Sequence, residues 1–245
     1  MMIYGINAVT EALRAGRVVS LRAGRRKDQR LQQLLTLAER SSVPVRRVSD
    51  DELDRESGVS SHQGVIAEVA ERQIYDLDDL IRDAQAAPPA LIVVLDGVED
   101  PHNFGAILRS VDAAGAHGVV RQTRHAAPLS GAVGKASAGA LAHVKIADVV
   151  NVARAVEELK EAGIWTVALI GDAPDSYDKM DFTIPTALVV GAEGTGVRRL
   201  VRERCDFLAR IPMLGRVNSL NVSVATGVVL FEALRQRGFG FEPGT

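Results

Sequence analysis

From residue 90 onward the chain alternates short runs rich in Val, Ile and Leu with helical stretches, and this pattern constrains its fold more than any other feature. The runs fall near 91–96, 118–121, 165–170, 187–191 and 208–212. A strand with one wet face alternates apolar and polar residues, whereas a strand covered on both faces reads as a continuous apolar run. Helices packed on both faces of a parallel α/β sheet are therefore expected here. The 47% hydrophobic content of the 245 residues is ample for such a core.

The first 70 residues read as a separate, smaller α/β module. Helices are predicted near Asn7–Ala15, Asp28–Arg40 and Asp50–Ser57, with strands near Val18–Arg22, Val43–Val48 and Val65–Val69. A further helix over Tyr75–Ala87, capped by Asp76 or Asp78, stops at Pro88-Pro89. The expected division is a module over 1–69, a linker over 70–77 and a larger domain over 78–245. The opening lacks a charged-then-apolar leader and the apolar runs are far shorter than a membrane span, so a soluble cytoplasmic protein with no membrane partner is expected.

Charge excludes little globally and more locally. The formal net charge is −2, but residues 1–75 hold 12 Lys and Arg against 10 Asp and Glu, and the rest 17 against 21. Arg22, Arg25, Arg26, Lys27 and Arg30, opposed only by Asp28, form a basic cluster at a strand end, a place that can meet RNA phosphates. Aromatic content of 4% argues against a base-stacking platform and favours recognition by shape and phosphate. Histidines at 62, 102, 117, 125 and 143 show no metal-ligand spacing, and no metal is expected. The single cysteine, Cys205, reads as a core or half-buried thiol.

Three segments carry chemistry. The run Leu91–Leu95 leads through Asp96-Gly97-Val98-Glu99-Asp100-Pro101-His102-Asn103-Phe104-Gly105 into a helix whose core stripe is Phe104, Ile107, Leu108 and Val111. Gly105 and Arg109, four apart, share another side, where the glycine is expected to bare backbone beside the guanidinium. Ala187–Val190 runs into Gly191-Ala192-Glu193-Gly194-Thr195-Gly196, one carboxylate among glycines. Asn218-Ser219-Leu220-Asn221-Val222-Ser223 opens a helix in which Asn218 and Ser219 are expected caps and Leu220, Val224, Val228, Phe231 and Leu234 the apolar stripe. Small polar residues at the positive end of that helix suit a bound anion.

Read together as Asn-x-Gly-x-x-x-Arg, Gly-x-Glu-Gly-x-Gly and Ser-Leu-Asn-Val-Ser, these segments resemble the SpoU/TrmH family of SPOUT RNA 2'-O-methyltransferases. Within it the likeness is to the branch that methylates a guanosine of 23S ribosomal RNA. It extends through Met2–Val9, His62-Gln63-Gly64 and Phe231–Arg237, almost the whole chain. The resemblance implies an amino-terminal ribosomal-protein-like RNA-binding domain and a SPOUT domain with a parallel sheet and a carboxyl-terminal trefoil knot. It also implies a homodimer with active sites at the interface, S-adenosyl-L-methionine as cofactor and a target in the peptidyl-transferase loop region. By the same resemblance, Arg109, Asn103, Glu193, Ser219 and Asn221 are the catalytic candidates, and Gly191, Ile211 and Leu220 contact the cofactor through backbone. Arg109 is assigned electrostatic activation of the ribose hydroxyl, because a guanidinium with a pKa above about 12 is a poor base; the family's usual account makes it the proton acceptor. Asn103 would orient the ribose or the arginine, and Glu193 would hold Arg109 by a charge-assisted bond. Val144-Lys145 and Arg121–His125 depart from the family's usual residues.

Two other readings remain open, a transfer-RNA 2'-O-methyltransferase of the same fold and a non-catalytic RNA-binding or ribosome-assembly factor. A dinucleotide-dependent oxidoreductase fits poorly, since the glycine spacing is wrong and Ile211, Met213 and Arg216 stand where a ribose-binding acid is needed.

Overall fold

The computed structural model describes residues 2–14, 17–25, 28–59, 61–70, 75–124, 126–127 and 131–238. Arg26, Lys27 and His125 of the sequence reading, and 71–74 of the expected linker, lie outside them. The amino-terminal unit runs β1 (Met2–Tyr4), α1 (Ile6–Arg14), β2 (Val18–Ala23), α2 (Gln29–Arg40), β3 (Val45–Arg47), α3 (Asp50–Ser57) and β4 (Val65–Val69). Its sheet order is β1-β4-β2-β3, with β4 antiparallel to β1 and β2, and β3 parallel to β2. Local chemistry sets the boundaries: Asp28 caps α2 through the amides of Arg30 and Leu31, and Ser49 caps α3 through that of Glu52. Gly58, left-handed at φ 70°, ends α3.

The second unit runs α4 (Leu77–Ala86), β5 (Leu91–Asp96), α5 (Pro101–Ala113), β6 (Gly118–Gln122), α6 (Gly131–Ala136), β7 (Ile146–Val149), α7 (Val152–Glu161), β8 (Trp165–Leu169) and β9 (Asp175–Ser176). It continues through β10 (Thr186–Gly191), α8 (Arg199–Arg204), β11 (Phe207–Arg210) and α9 (Val222–Gln236). All seven strands are parallel, in the order β7-β6-β5-β10-β8-β11-β9. Every residue of β5 and β10 is buried, as their unbroken apolar runs require. One face of the sheet packs against α5 and α9, with Phe104, Ile107 and Leu108 at its centre; the other packs against α4, α7 and α8, around Leu80, Val156 and Val201. Strands β1, β7 and β9, none longer than four residues, were not foreseen from the sequence.

The helix after the last strand differs from expectation. Its cap is Asn221, and Asn218 and Ser219 lie before it, outside any helix or strand. Its buried face is Val222, Thr226, Val229, Leu230 and Ala233, whereas Val224 and Phe231 of the expected stripe are 52% and 46% exposed. Nearly every side of α9 is apolar, so periodicity could not select the inward one.

Candidate active site

In a parallel sheet, ligands settle outside the carboxyl ends of the strands, where the order of connection reverses. Here β5 leads outward to β6 and β7, and the chain then returns to lay β10 on the other side of β5. A cavity of about 610 Å³ opens beyond β8, β10 and β11. Its walls are Leu169–Asp172, Val190–Val197, Arg202, Ile211 with Met213, Asn218–Val222 and Ala225. Six of the eight residues singled out from the sequence line it, namely Gly191, Glu193, Ile211, Ser219, Leu220 and Asn221. The wall from β8, with Ile170, Gly171 and Asp172, was missed; its only signal was a glycine directly after an apolar run.

Asn221 ties the polar side of this cavity together. Its Oδ1 accepts from the amides of Ser223 (2.9 Å) and Val224 (3.4 Å), capping α9. Its Nδ2 donates to Asn103 Oδ1 at 2.8 Å and to Glu193 Oε1 at 2.6 Å. Residues from α5, the β10 loop and the α9 mouth therefore converge on one amide. Asn103 is buried inside the first turn of α5; the cap of that helix is Asp100, which accepts from the amides of His102 and Asn103.

Arg109 stands apart from this group. It is exposed on α5, does not line the cavity, and has no hydrogen-bond or ion-pair partner among the described residues. Within this chain the expected neighbours of Arg109 are engaged elsewhere. Glu193 is held by Asn221, not by Arg109. Gly105 does not serve the guanidinium: a Cβ there would lie 2.4 Å from that of Ala136, so the glycine lets α5 and α6 pack at close range.

The basic cluster is also weaker than its sequence suggests, because Arg22 is paired with Glu56 at 3.0 Å. Arg25 and Arg30 are exposed. The two departures from the family pattern have structural roles. Lys145 pairs with Asp83 at 2.6 Å, and Arg121 is buried, donating to Asp148 (2.7 Å) and the carbonyl of Ala127 (2.6 Å) over the ring of Phe104.

The cavity suits a nucleoside bearing a cationic amino-acid tail. Its volume lies within the range of small-molecule sites, and Ile170, Val190, Ile211, Met213 and Leu220 offer apolar surface for a base. Glu193 supplies a carboxylate for positive charge. The loop after β10 has no side chain at 191, 194 or 196, which leaves its backbone as the wall. At Gly191 this is obligatory, since a Cβ would fall 2.0 Å from the carbonyl carbon of Gly196. No group of His, Cys, Asp and Glu among the described residues is arranged to hold a metal ion.

Comparison with known proteins supplies the family. Residues 90–231 match the SpoU rRNA methylase family, and residues 2–75 match the RNA 2'-O ribose methyltransferase substrate-binding family. The chain is 46% identical to the 23S rRNA (guanosine-2'-O-)-methyltransferase RlmB of Pseudomonas aeruginosa, with 96% of each chain covered. Identity is again 46% to the RlmB of Pseudomonas syringae pv. tomato, with 98% of each covered. Among solved structures, the SpoU methyltransferase AviRb of Streptomyces viridochromogenes in complex with AdoMet superposes with a TM-score of 0.80, at 30% identity over 98% of this chain and 91% of that one. An AdoMet-bound rRNA methyltransferase from Sinorhizobium meliloti gives 0.76, at 28% identity over 96% and 86%. Motifs, sheet order, cavity and these matches agree: the chain belongs to the SpoU rRNA methylase family.

Proposed function

We propose that this protein transfers the methyl group of S-adenosylmethionine to the ribose 2'-hydroxyl of a guanosine in 23S ribosomal RNA. The observation that carries the reading is near-complete, end-to-end similarity to RlmB proteins combined with a cavity at the strand ends. The cofactor supplies an electrophilic methyl on a sulfonium that leaves as a neutral thioether. The remaining difficulty is the acceptor, a weakly acidic hydroxyl whose developing negative charge must be stabilised and aligned. Arg109 is the cation for that task, and the Asn103–Asn221–Glu193 group fixes the polar wall beside which the ribose sits. Residues 1–69 act as the RNA-binding module and 78–245 as the catalytic domain, with the segment after β11 threading the knot. No described helix is long and apolar enough to cross a membrane; the cytoplasmic location follows from the proposed ribosomal RNA substrate.

Arg109 lies outside the cavity of its own chain, and the apolar side chains of Val224 and Phe231 on the neighbouring α9 are exposed. Both features fit a homodimer through the α5–α9 face that delivers Arg109 to the partner's cavity. The test is incubation with labelled S-adenosylmethionine and RNA from a strain lacking the gene, followed by mapping. Label at one guanosine of 23S RNA is expected; label in transfer RNA refutes the substrate, and no label refutes catalysis. Arg109→Lys should lower turnover about a hundredfold while cofactor binding persists, because the planar fork is lost and the charge kept. Mixed dimers of Arg109→Lys with a cavity-blocked Ala225→Phe chain should regain activity, and their inactivity would place the arginine in its own chain's site.

A further inference from the structure

We propose that Asp96 and Arg198 form a clamp that holds the cofactor loop in its binding conformation by tying it to the ends of β5 and β6. Arg198 does not line the cavity, so its role is positioning, and the proposal rests on reading that cavity as the S-adenosylmethionine site.

Asp96, the last residue of β5, grips both ends of the segment 192–198. Its backbone carbonyl accepts from the amide of Ala192 at 3.0 Å. Its carboxylate, wholly buried, accepts from the Arg198 amide at 2.8 Å (Oδ2) and from Arg198 Nε at 2.7 Å (Oδ1), and Nη2 also pairs with it. Every residue from 192 to 197 lines the cavity. The pairing of β5 with β10, Leu91–Asp96 against Thr186–Gly191, already fixes the strands, so the clamp acts on what lies beyond them.

The same guanidinium reaches a third strand end. Arg198 Nη2 donates to Gln122 Oε1 at 2.7 Å, and Gln122 is the last residue of β6. Asp96 opens the segment that leads to Asn103, and Gln122 opens the loop from β6 toward α6. One planar fork thus spans the bases of three loops, a task a point-charge ammonium cannot reproduce. A buried carboxylate demands such a partner, which makes the closed arrangement self-enforcing. Binding affinity rises when a loop is pre-organised in this way.

The test uses the full chain with Arg198→Lys, Asp96→Asn and the double variant, measured by calorimetric titration with S-adenosylmethionine, thermal melting, and RNA binding without cofactor. Arg198→Lys keeps the charge opposite Asp96, and its side chain is 55% exposed, so it is the variant expected to remain folded. Each single change should weaken cofactor affinity about tenfold, the double change no more than the worse single, and RNA affinity should stay within about twofold. A merely structural role would lower the melting midpoint and leave the affinity of the folded protein unchanged; that result, or losses that multiply in the double variant, overturns the clamp. Ala225→Phe, which intrudes on the cavity from α9, separates the two readings. If it fails to reduce binding, the cavity itself is not the cofactor site and both readings fall.

Discussion

Replacing Asn221 by Asp keeps its carbonyl-like cap oxygen for α9 and removes the amide that joins Asn103 to Glu193. For comparison, Asn221→Ala loses the cap, at about 0.5–2 kcal/mol, and two hydrogen bonds at about 1 kcal/mol each. At about 2–4 °C per kcal/mol for a chain of this size, the melting midpoint should fall by roughly 5–16 °C. Asn221→Asp retains the cap, which a carboxylate at a helix mouth strengthens by about 0.3–1 kcal/mol. It also sets like charges together where a 2.6 Å hydrogen bond stood, a repulsion of about 1–4 kcal/mol between water-like and near-surface screening once the carboxylates move to about 4 Å. Turnover should fall about a hundredfold, because the wall beside the ribose is pushed apart. Adding Glu193→Gln supplies a donor to the substituted carboxylate, and Asn103 can turn its amide to do the same. The double variant should then melt within about 2–4 °C of wild type, a residual cost of about 1 kcal/mol. Melting by circular dichroism and single-turnover methyl transfer read the two effects separately. A single Asn221→Asp variant with undiminished turnover and midpoint would show that Asn221 is only a helix cap, and a double variant that does not recover its midpoint would refute the charge repulsion between positions 221 and 193.

Two other perturbations probe packing and the lone thiol. Gly105→Ala should destabilise the protein by about 1–3 kcal/mol, since the new methyl must displace the backbone of α6; a melting midpoint unchanged within a degree would refute the close packing of α5 on α6. Burial pushes the Cys205 thiol from an ordinary 9.0 up to about 12. At pH 8 its thiolate fraction is then about a thousandfold below that of an ordinary thiol. Ellman's reagent should accordingly react with the urea-unfolded chain and scarcely with the native one, and equal rates would contradict the burial.

Much of the site was legible because its residues are clustered in sequence at strand ends, where glycine and small polar side chains stand out against apolar runs. Gly191, Glu193, Ser219, Leu220 and Asn221 all proved to line one cavity. Their partnerships were not legible. Glu193 had a plausible cation in Arg109, yet its bond is to an amide 28 positions away. The Asp96–Arg198–Gln122 group gave no local signal, because each member belongs to a different segment and only the parallel pairing of β6, β5 and β10 brings them within reach.

What the chain's own order of residues determined is the set of elements and the class of sheet. Periodicity, caps and turns act over a few residues, and the uninterrupted apolar runs of β5 and β10 require cover on both faces. The start of α9 was placed too early, for Asn218 and Ser219 are by identity as good caps as Asn221. Only the folded molecule chose Asn221, because residues 218–220 line the cavity outside the helix and the amide of Asn221 meets Asn103, 118 positions earlier. The inward face of α9 was likewise settled by α5 and the sheet, since a helix apolar on nearly every side carries no direction of its own.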